Sequence, residues 1–392
     1  MSDIKIDKSY INQHLAAMVK IDSRNPSLVT DAPGELELGK YIKTCLEDLG
    51  LEVEFHDLET TRVNVVARLK GSGGGKTLML NGHLDTVGTQ GMAEPFSARV
   101  TEGRLYGRGS QDMKASLAAM LASVKALQDA AIKLKGDLLL SFVADEEALS
   151  IGMEHLAKTY RADAAIITEP TDMRLCTAHR GFIWFEVETF GRAAHGSRYQ
   201  EGIDANMHMA LFLAELYKLG QNLLDRSPHP LAGPPSLHVS LMQGGTEKST
   251  YAAHAKVLIE RRTIPGETLL QAQAELQAIV DHLASSIPNF KATLTASFER
   301  FPFEISEDAS IIKSLQRAAQ KSLGQRLESM GATFWTDAAL LDEVGIETVL
   351  IGPLGQGLHS AEEWVDLVSV YELTDLLCET ALDFCGVADD LP

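Results

Sequence analysis

An α/β fold built on a mostly parallel sheet, with a smaller α+β domain inserted into it, is the architecture this sequence predicts. Three observations carry that expectation. Near-continuous apolar runs alternate with a helical pattern in the first half. The middle of the chain switches to alternating strands in a β-α-β-β-α-β order. And 392 residues exceed what one hydrophobic core ordinarily sustains.

The apolar runs are "VNVVARL" (63–69), "TLMLNGHLD" (77–85), "DLLLSFVADEE" (137–147) and "AAIITEP" (164–170). Two are nearly unbroken, as strands buried on both faces must be. Between them, "DMKASLAAMLASVKALQ" repeats Met113, Leu117, Met120, Leu121, Val124 and Leu127 at helical spacing. A late run, "TVLIGP" (348–353), reads as one more strand of the same sheet. In the middle, "FIWFEVETF" (182–190) reads as a strand and "ANMHMALFLAELYKL" (205–219) as a helix. "LHVSLMQ" (237–243) and "AKVLIERRT" (255–263) are two strands, "TLLQAQAELQAIVDHLAS" (268–285) a helix and "KATLTASFE" (291–299) a closing strand. That order is ferredoxin-like. It predicts an inserted domain over residues 178–292, with 1–177 and 293–392 forming the main domain. The glycine-rich "KGSGGGKT" (70–77) is no phosphate loop: the first Gly the motif requires falls on Lys70, and a strand follows where a helix should begin. It reads as a turn.

The net charge of −19 argues against a phosphate-backbone partner and suits a site that attracts cations. Four scattered cysteines (Cys45, Cys176, Cys378, Cys385), with no C-x-x-C pair, indicate neither a disulfide framework nor a thiolate zinc site. The opening "MSDIKIDKSYINQ" lacks the apolar core of a signal peptide, and no run is long enough to span a membrane. A soluble, cytoplasmic protein is the expectation, with neither nucleic acid nor membrane as partner.

The chemistry collects where the apolar runs end. One run ends in His83 and Asp85, another in Asp145, Glu146 and Glu147, a third in Glu169; the helical stretch opens with Asp112, and His359 follows the last strand. Taken singly, each has an ordinary reading: polar strand ends, an acidic helix start, an N-cap, a loop carboxylate, a surface histidine. Their joint placement is different, because ligands of open parallel sheets bind at the carboxyl ends of the strands. Histidines and carboxylates without thiolates suit Zn²⁺, Co²⁺ or Mn²⁺. Several carboxylates converging without cations would repel, so a metal or a protonated pair must neutralise them. Consecutive strand residues face opposite ways, so one of Glu146 and Glu147 can bind metal while its neighbour acts as a base, provided the backbone turns there.

At this point the chain resembles the M20 metallopeptidase and deacylase family. "GHLDTV" (82–87), "GRGSQDMKASLAAML" (107–121), "ADEEALSIGMEHL" (144–156), "ITEP" (167–170), "GRAAHGS" (191–197), "IERRTIPGE" (259–267) and "GLHSAEEWV" (357–365) stand in the family's order over essentially the whole chain. The resemblance implies two divalent ions: His83 and Glu169 on one, Glu147 and His359 on the other, Asp112 bridging. It makes Glu146 the general base that takes a proton from water and returns it to the leaving amine. Asp85 would orient His83 rather than touch a metal. His195 would stabilise the oxyanion, in this family often from the partner subunit, and Arg262 would grip a substrate carboxylate, with Arg261 the alternative. The inserted domain would be the lid and dimerisation domain of a homodimer. One stretch departs from the pattern: where the family usually has an Asn and a nearby Pro, this chain has Ser249 and Ala252 in "STYAA" (249–253), so Ser249 is the substrate-contact candidate there. The resemblance points to a deacylase of N-acyl amino acids, in the acetylornithine deacetylase and desuccinylase branch. A carboxypeptidase or dipeptidase on the same site is the alternative, and a non-catalytic homologue the alternative of another class.

Overall fold

The structure is a computed structural model and describes residues 4–388. Eleven strands make up most of the two sheets that matter for the site: β1 (Glu52–Glu59), β2 (Arg62–Leu69), β3 (Leu78–His83), β4 (Leu138–Val143), β5 (Ala164–Ile167), β6 (Leu175–His179), β7 (Gly181–Phe190), β8 (Ser236–Gly244), β9 (His254–Thr263), β10 (Ala292–Arg300) and β11 (Glu347–Leu350). The chain forms two compact units, one comprising the residues up to Thr177, Ile305–Met330 and those from Thr336, the other Ala178–Glu304 and Gly331–Trp335.

In the first unit the strands lie in the order β1-β2-β4-β3-β5-β11-β6. The four central strands, β4, β3, β5 and β11, are mutually parallel, and the flanking pairings are antiparallel. Every residue of β3, β4 and β5 is buried, which is why their sequences are unbroken apolar runs rather than alternating ones. Leu78, Leu80, Leu138 and Leu140 share one core with Leu117, Leu121 and Val124 of the helix Ala115–Asp129 and Val370, Leu373 and Leu377 of the helix Leu367–Cys385. Each such side chain contributes roughly 1.5–3 kcal/mol by leaving water. The edge strand β1, "EVEFHDLE", was not legible as a strand; it is nowhere fully buried and pairs only with β2. Residues 70–77 are the connection between β2 and β3, with positive φ at Gly73 and Gly74.

The second unit carries an antiparallel sheet in the order β8-β9-β7-β10. Numbered along the chain that is 2-3-1-4, the ferredoxin-like arrangement. Ile183, Phe185 and Val187 alternate inward from β7 and pack on Met209, Phe212 and Leu216 of the helix Ala205–Leu224 and Leu276 and Val280 of the helix Leu269–Ser286. Asp204 caps the first helix, and a Thr268–Gln271 capping box opens the second. The expected boundary at residue 292 is too early. β10 pairs with β7 from Ala292 to Arg300, so a boundary there would cut the sheet, and the unit runs on to Glu304. Among the described residues no helix is long and apolar enough to cross a membrane.

Candidate metal centre

Parallel register puts the ends of β3, β4 and β5 side by side: His83 is opposite Val143, and Asn81 opposite Ile167. The residues just beyond those ends therefore converge. His83 Nε2 lies 3.0 Å from Asp112 Oδ1 and 3.7 Å from Glu169 Oε1. His359 Nε2 lies 3.1 Å from Glu147 Oε2 and 3.5 Å from Asp112 Oδ2. Asp112 thus faces a histidine with each carboxylate oxygen. Two triads have ligand atoms all within 4.8 Å of one another: His83, Asp112 and Glu147, and His83, Glu146 and Glu169. Asp112 is no helix cap. It sits in an irregular turn before the helix Ala115–Asp129, with φ −115° and ψ 92° and a cis peptide to Met113.

Burial pushes the Glu147 carboxyl up to about 7, with the Asp112 charge adding to it, and pushes Glu169 up to about 8. Glu146 is raised well above the usual carboxylate range by burial and by the nearby Glu169 charge. Burial opposes the charged form of His83, yet the surrounding carboxylates, Glu169 and Asp112 foremost, raise it well above its ordinary value. Hydrogen bonds to Asp112 and Glu147 raise His359 to about 10. Against its own burial, Asp112 is held low by His359 and His83. The two nearby cations do not supply the missing positive charge. Arg108 is paired with Glu363 at 2.5 Å, and Lys114 Nζ donates to the Ile21 carbonyl at 2.8 Å. Glu147 Oε1 is buried without a hydrogen-bond partner. Oxygen and imidazole donors, crowded carboxylates and an orphaned buried oxygen together fit divalent cations.

Residues 79–383 match the model of peptidase family M20/M25/M40. The chain belongs to that family. The acetylornithine deacetylase of Myxococcus xanthus is 30% identical over 359 residues, 88% of this chain and 91% of that one. The N-formyl-4-amino-5-aminomethyl-2-methylpyrimidine deformylase of Halalkalibacterium halodurans is 27% identical over 412 residues, covering 97% and 96%. The aminopeptidase PepT of Bacillus cereus shares the fold, with a TM-score of 0.78, 18% identity, and 97% and 99% of the chains covered. As a family M20 chain this protein is a metallohydrolase of amide or peptide bonds.

The M20 centre is held by buried groups that the sequence did not single out. Glu363 accepts the backbone N–H groups of Gly109, Gln111 and Asp112 at 2.9–3.1 Å as well as the Arg108 guanidinium. Arg108 in turn donates to the Ser360 carbonyl at 2.8 Å, so one carboxylate ties the Asp112 turn to the His359 segment. The expectation for Asp85 needs amending. His83 Nδ1 meets the Asp85 backbone carbonyl at 2.9 Å, whereas the nearer carboxylate oxygen is 3.6 Å away. A carbonyl only accepts, so Nδ1 carries a proton, and Nε2, which faces Asp112 and Glu169, is the ring nitrogen left to hold an ion once its own proton is gone. The Asp85 carboxylate instead accepts the N–H groups of Glu146 and Glu147, each at 3.1 Å.

The remaining candidates of this M20 chain lie in the second unit. His195 and Ser249 are exposed and come together: Gly196 donates to the Ser249 carbonyl at 2.8 Å, and Tyr251 to the Ala194 carbonyl at 3.0 Å. Ala252 is buried beside them in the unit's core. Of the two arginines, Arg261 is wholly buried and paired with Glu267 at 2.6 Å and Glu275 at 3.5 Å. Arg262 is half-buried, stacked 5.2 Å from the Phe182 ring centre and bonded through Nε to Glu260 at 2.6 Å. Arg261 is thereby committed to its own unit, which leaves Arg262 as the guanidinium with an open side.

Proposed function

We propose that this chain removes the acyl group from an N-acyl amino acid at a centre for two divalent ions, Zn²⁺ first, with Co²⁺ or Mn²⁺ as alternatives. The observation that carries this reading is the convergence of His83, Asp112, Glu146, Glu147, Glu169 and His359 at one sheet edge, with Arg108 and Lys114 engaged elsewhere. His83 and Glu169 would hold one ion and Glu147 and His359 the other, with Asp112 between them. When bound, the ions supply Lewis-acid polarisation of the amide carbonyl and acidify a water.

The chain's own groups do the rest. Glu146, half-buried and with its affinity for a proton raised, takes one from the water that attacks the acyl carbon. It returns that proton to the amide nitrogen as the C–N bond breaks, so a carboxylic acid and a free amine leave. His195 donates to the developing oxyanion, Arg262 pairs with the carboxylate of the amino acid, and Ser249 adds a hydrogen bond beside it. We also propose that the second unit closes over substrate and joins two subunits in a cytoplasmic homodimer. The two curated relatives support the acyl reading, since their names describe removal of an acetyl and a formyl group.

A screen of N-acetyl, N-succinyl and N-formyl amino acids and of dipeptides on Co²⁺-loaded protein tests this. Turnover of one acyl class above dipeptides is the expected result. Turnover of dipeptides alone would make the chain a dipeptidase, and no turnover by fully loaded protein would overturn the reading.

A further inference from the structure

Asn25 lies after the helix Lys8–Lys20 in a segment that runs beside residues 85–86: Arg24 bridges Thr86 in parallel, and Asn25 donates its backbone N–H to the Thr86 carbonyl at 2.8 Å. Its side chain is wholly buried and fully engaged. Oδ1 accepts the Ser27 N–H at 2.8 Å, which turns the amide nitrogen the other way. Nδ2 then donates one proton to Asp85 Oδ2 at 2.8 Å and the other to Asp145 Oδ1 at 2.9 Å. These two buried carboxylates flank the turn that carries Glu146 and Glu147. Asp85 accepts both glutamates' N–H groups from one side. Asp145 precedes them in the chain, at a left-handed φ of 70°, where the backbone leaves β4. Asp145 is further paired with Arg62 at 2.6 Å, and Arg62 with Glu35 at 2.8 Å.

Two carboxylates out of water and close together repel unless protons lie between them. Asn25 supplies a proton to each from a single nitrogen, and no other side chain in the network does so for this pair. A left-handed, non-glycine residue persists only where its surroundings fix it. Here the fixing groups are the donors on Asp145 and the acceptor Asp85.

We infer that Asn25 is a positioning residue: by bridging Asp85 and Asp145 it sets the direction in which Glu146 and Glu147 enter the centre. The inference rests on the roles proposed above for those two glutamates. Asn25→Asp is isosteric and replaces both donors with a third carboxylate. Asn25→Ser and Asn25→Ala remove the bridge without adding charge.

Apoproteins of the wild type and the three variants are titrated with Co²⁺ and followed by visible absorption. Turnover is then measured on the substrate class the wild type prefers. Variants with wild-type near-ultraviolet circular dichroism are expected to bind Co²⁺ about 10–100-fold more weakly with an altered absorption band, and to lose about 10–100-fold in kcat with KM unchanged. Asn25→Asp should be the most affected, and if it does not fold, Asn25→Ser and Asn25→Ala decide alone. A folded Asn25→Ala protein with wild-type Co²⁺ affinity, band and kcat would overturn the inference, even with a lowered Tm. A wild type that takes up no Co²⁺ would instead overturn the proposed function beneath it.

Discussion

The carboxylate of Asp85 accepts the backbone N–H of Glu146 at 3.1 Å with one oxygen and that of Glu147 at 3.1 Å with the other. Asp85 lies just beyond β3 and the two glutamates follow β4, strands that lie side by side and parallel. A single buried carboxylate therefore aims two site residues of a neighbouring strand end, while the carbonyl of the same residue aims His83. Replacing Asp85 by Ala removes the acceptor for both glutamates but leaves the carbonyl. Metal binding should weaken by about 10–100-fold, the scale for groups that support ligands from behind, and this is read by Co²⁺ titration. A metal-loaded structure with Asp85 bonded to an ion would refute the assignment.

Glu146 shares a triad with His83 and Glu169, so its role as base rather than ligand needs a direct test. Glu146→Gln keeps the shape and removes the proton acceptor. Turnover should fall by about 10²–10⁴-fold, the usual worth of a positioned acid–base group, while metal content measured by atomic absorption stays at the wild-type level. Loss of an ion together with retained turnover would make Glu146 a ligand instead.

How much of this was legible in the sequence follows from what each residue does. His83, Glu146, Glu147 and Glu169 could be singled out because they stand at or just beyond the ends of runs whose apolar pattern marks them as strands, and strand ends share an edge; His359 could be singled out because it follows the late run by a few residues. Asp112 was found for its place before a helical pattern, although that helix begins only at Ala115. Asn25, Glu35, Arg62 and Glu363 were not found. They are single polar residues in loops, at a helix start or at a strand start, buried only through contacts between segments that lie far apart in the chain. For Asp85 the sequence identified the residue but not the atom, because pattern cannot distinguish a carbonyl from a carboxylate as the partner of His83.

Glu363 gathers Arg108 and three backbone N–H groups into one buried cluster. Glu363→Gln keeps the volume but leaves Arg108 as a buried charge without its counterion and turns an amide N–H₂ toward backbone donors. Breaking a buried pair in this way costs roughly 3–5 kcal/mol, measurable as a lowered midpoint in urea. Because the same carboxylate fixes the Asp112 turn, metal binding should weaken as well. A variant as stable as the wild type would show that the cluster does not hold the loop.

The exposed His195 invites a test of action between subunits. If it serves the partner's centre, mixing an inactive Glu146→Gln protein with an inactive His195→Ala protein should restore part of the activity once subunits exchange. Mixed dimers demonstrated by differential tagging but without activity would place His195 in its own chain's reaction.

Removing metal should make stability depend on pH in a definite direction. In the metal-free fold Glu147 titrates at about 7 and Glu169 at about 8, against an ordinary 4.5. Between those values the folded chain keeps protons that the unfolded chain has released, so folding is disfavoured as pH rises through this window. His359, raised to about 10 from 6.5, acts in the same sense: its contribution is complete below its unfolded value and is lost as pH climbs through about 10. Divalent ions hold the same carboxylates deprotonated and pair them, so loading should flatten the slope and add about 2.7 kcal/mol when free metal is about 100 times its Kd. Thermal unfolding in chelator and in Zn²⁺, compared at about pH 5.5 and about pH 8.5, measures both effects. The chelated protein should have the lower Tm at the higher pH, with the gap between chelated and loaded protein widening there. A chelated protein that gains stability as pH rises would mean that Glu147 and Glu169 are not the crowded, proton-holding pair this geometry makes them.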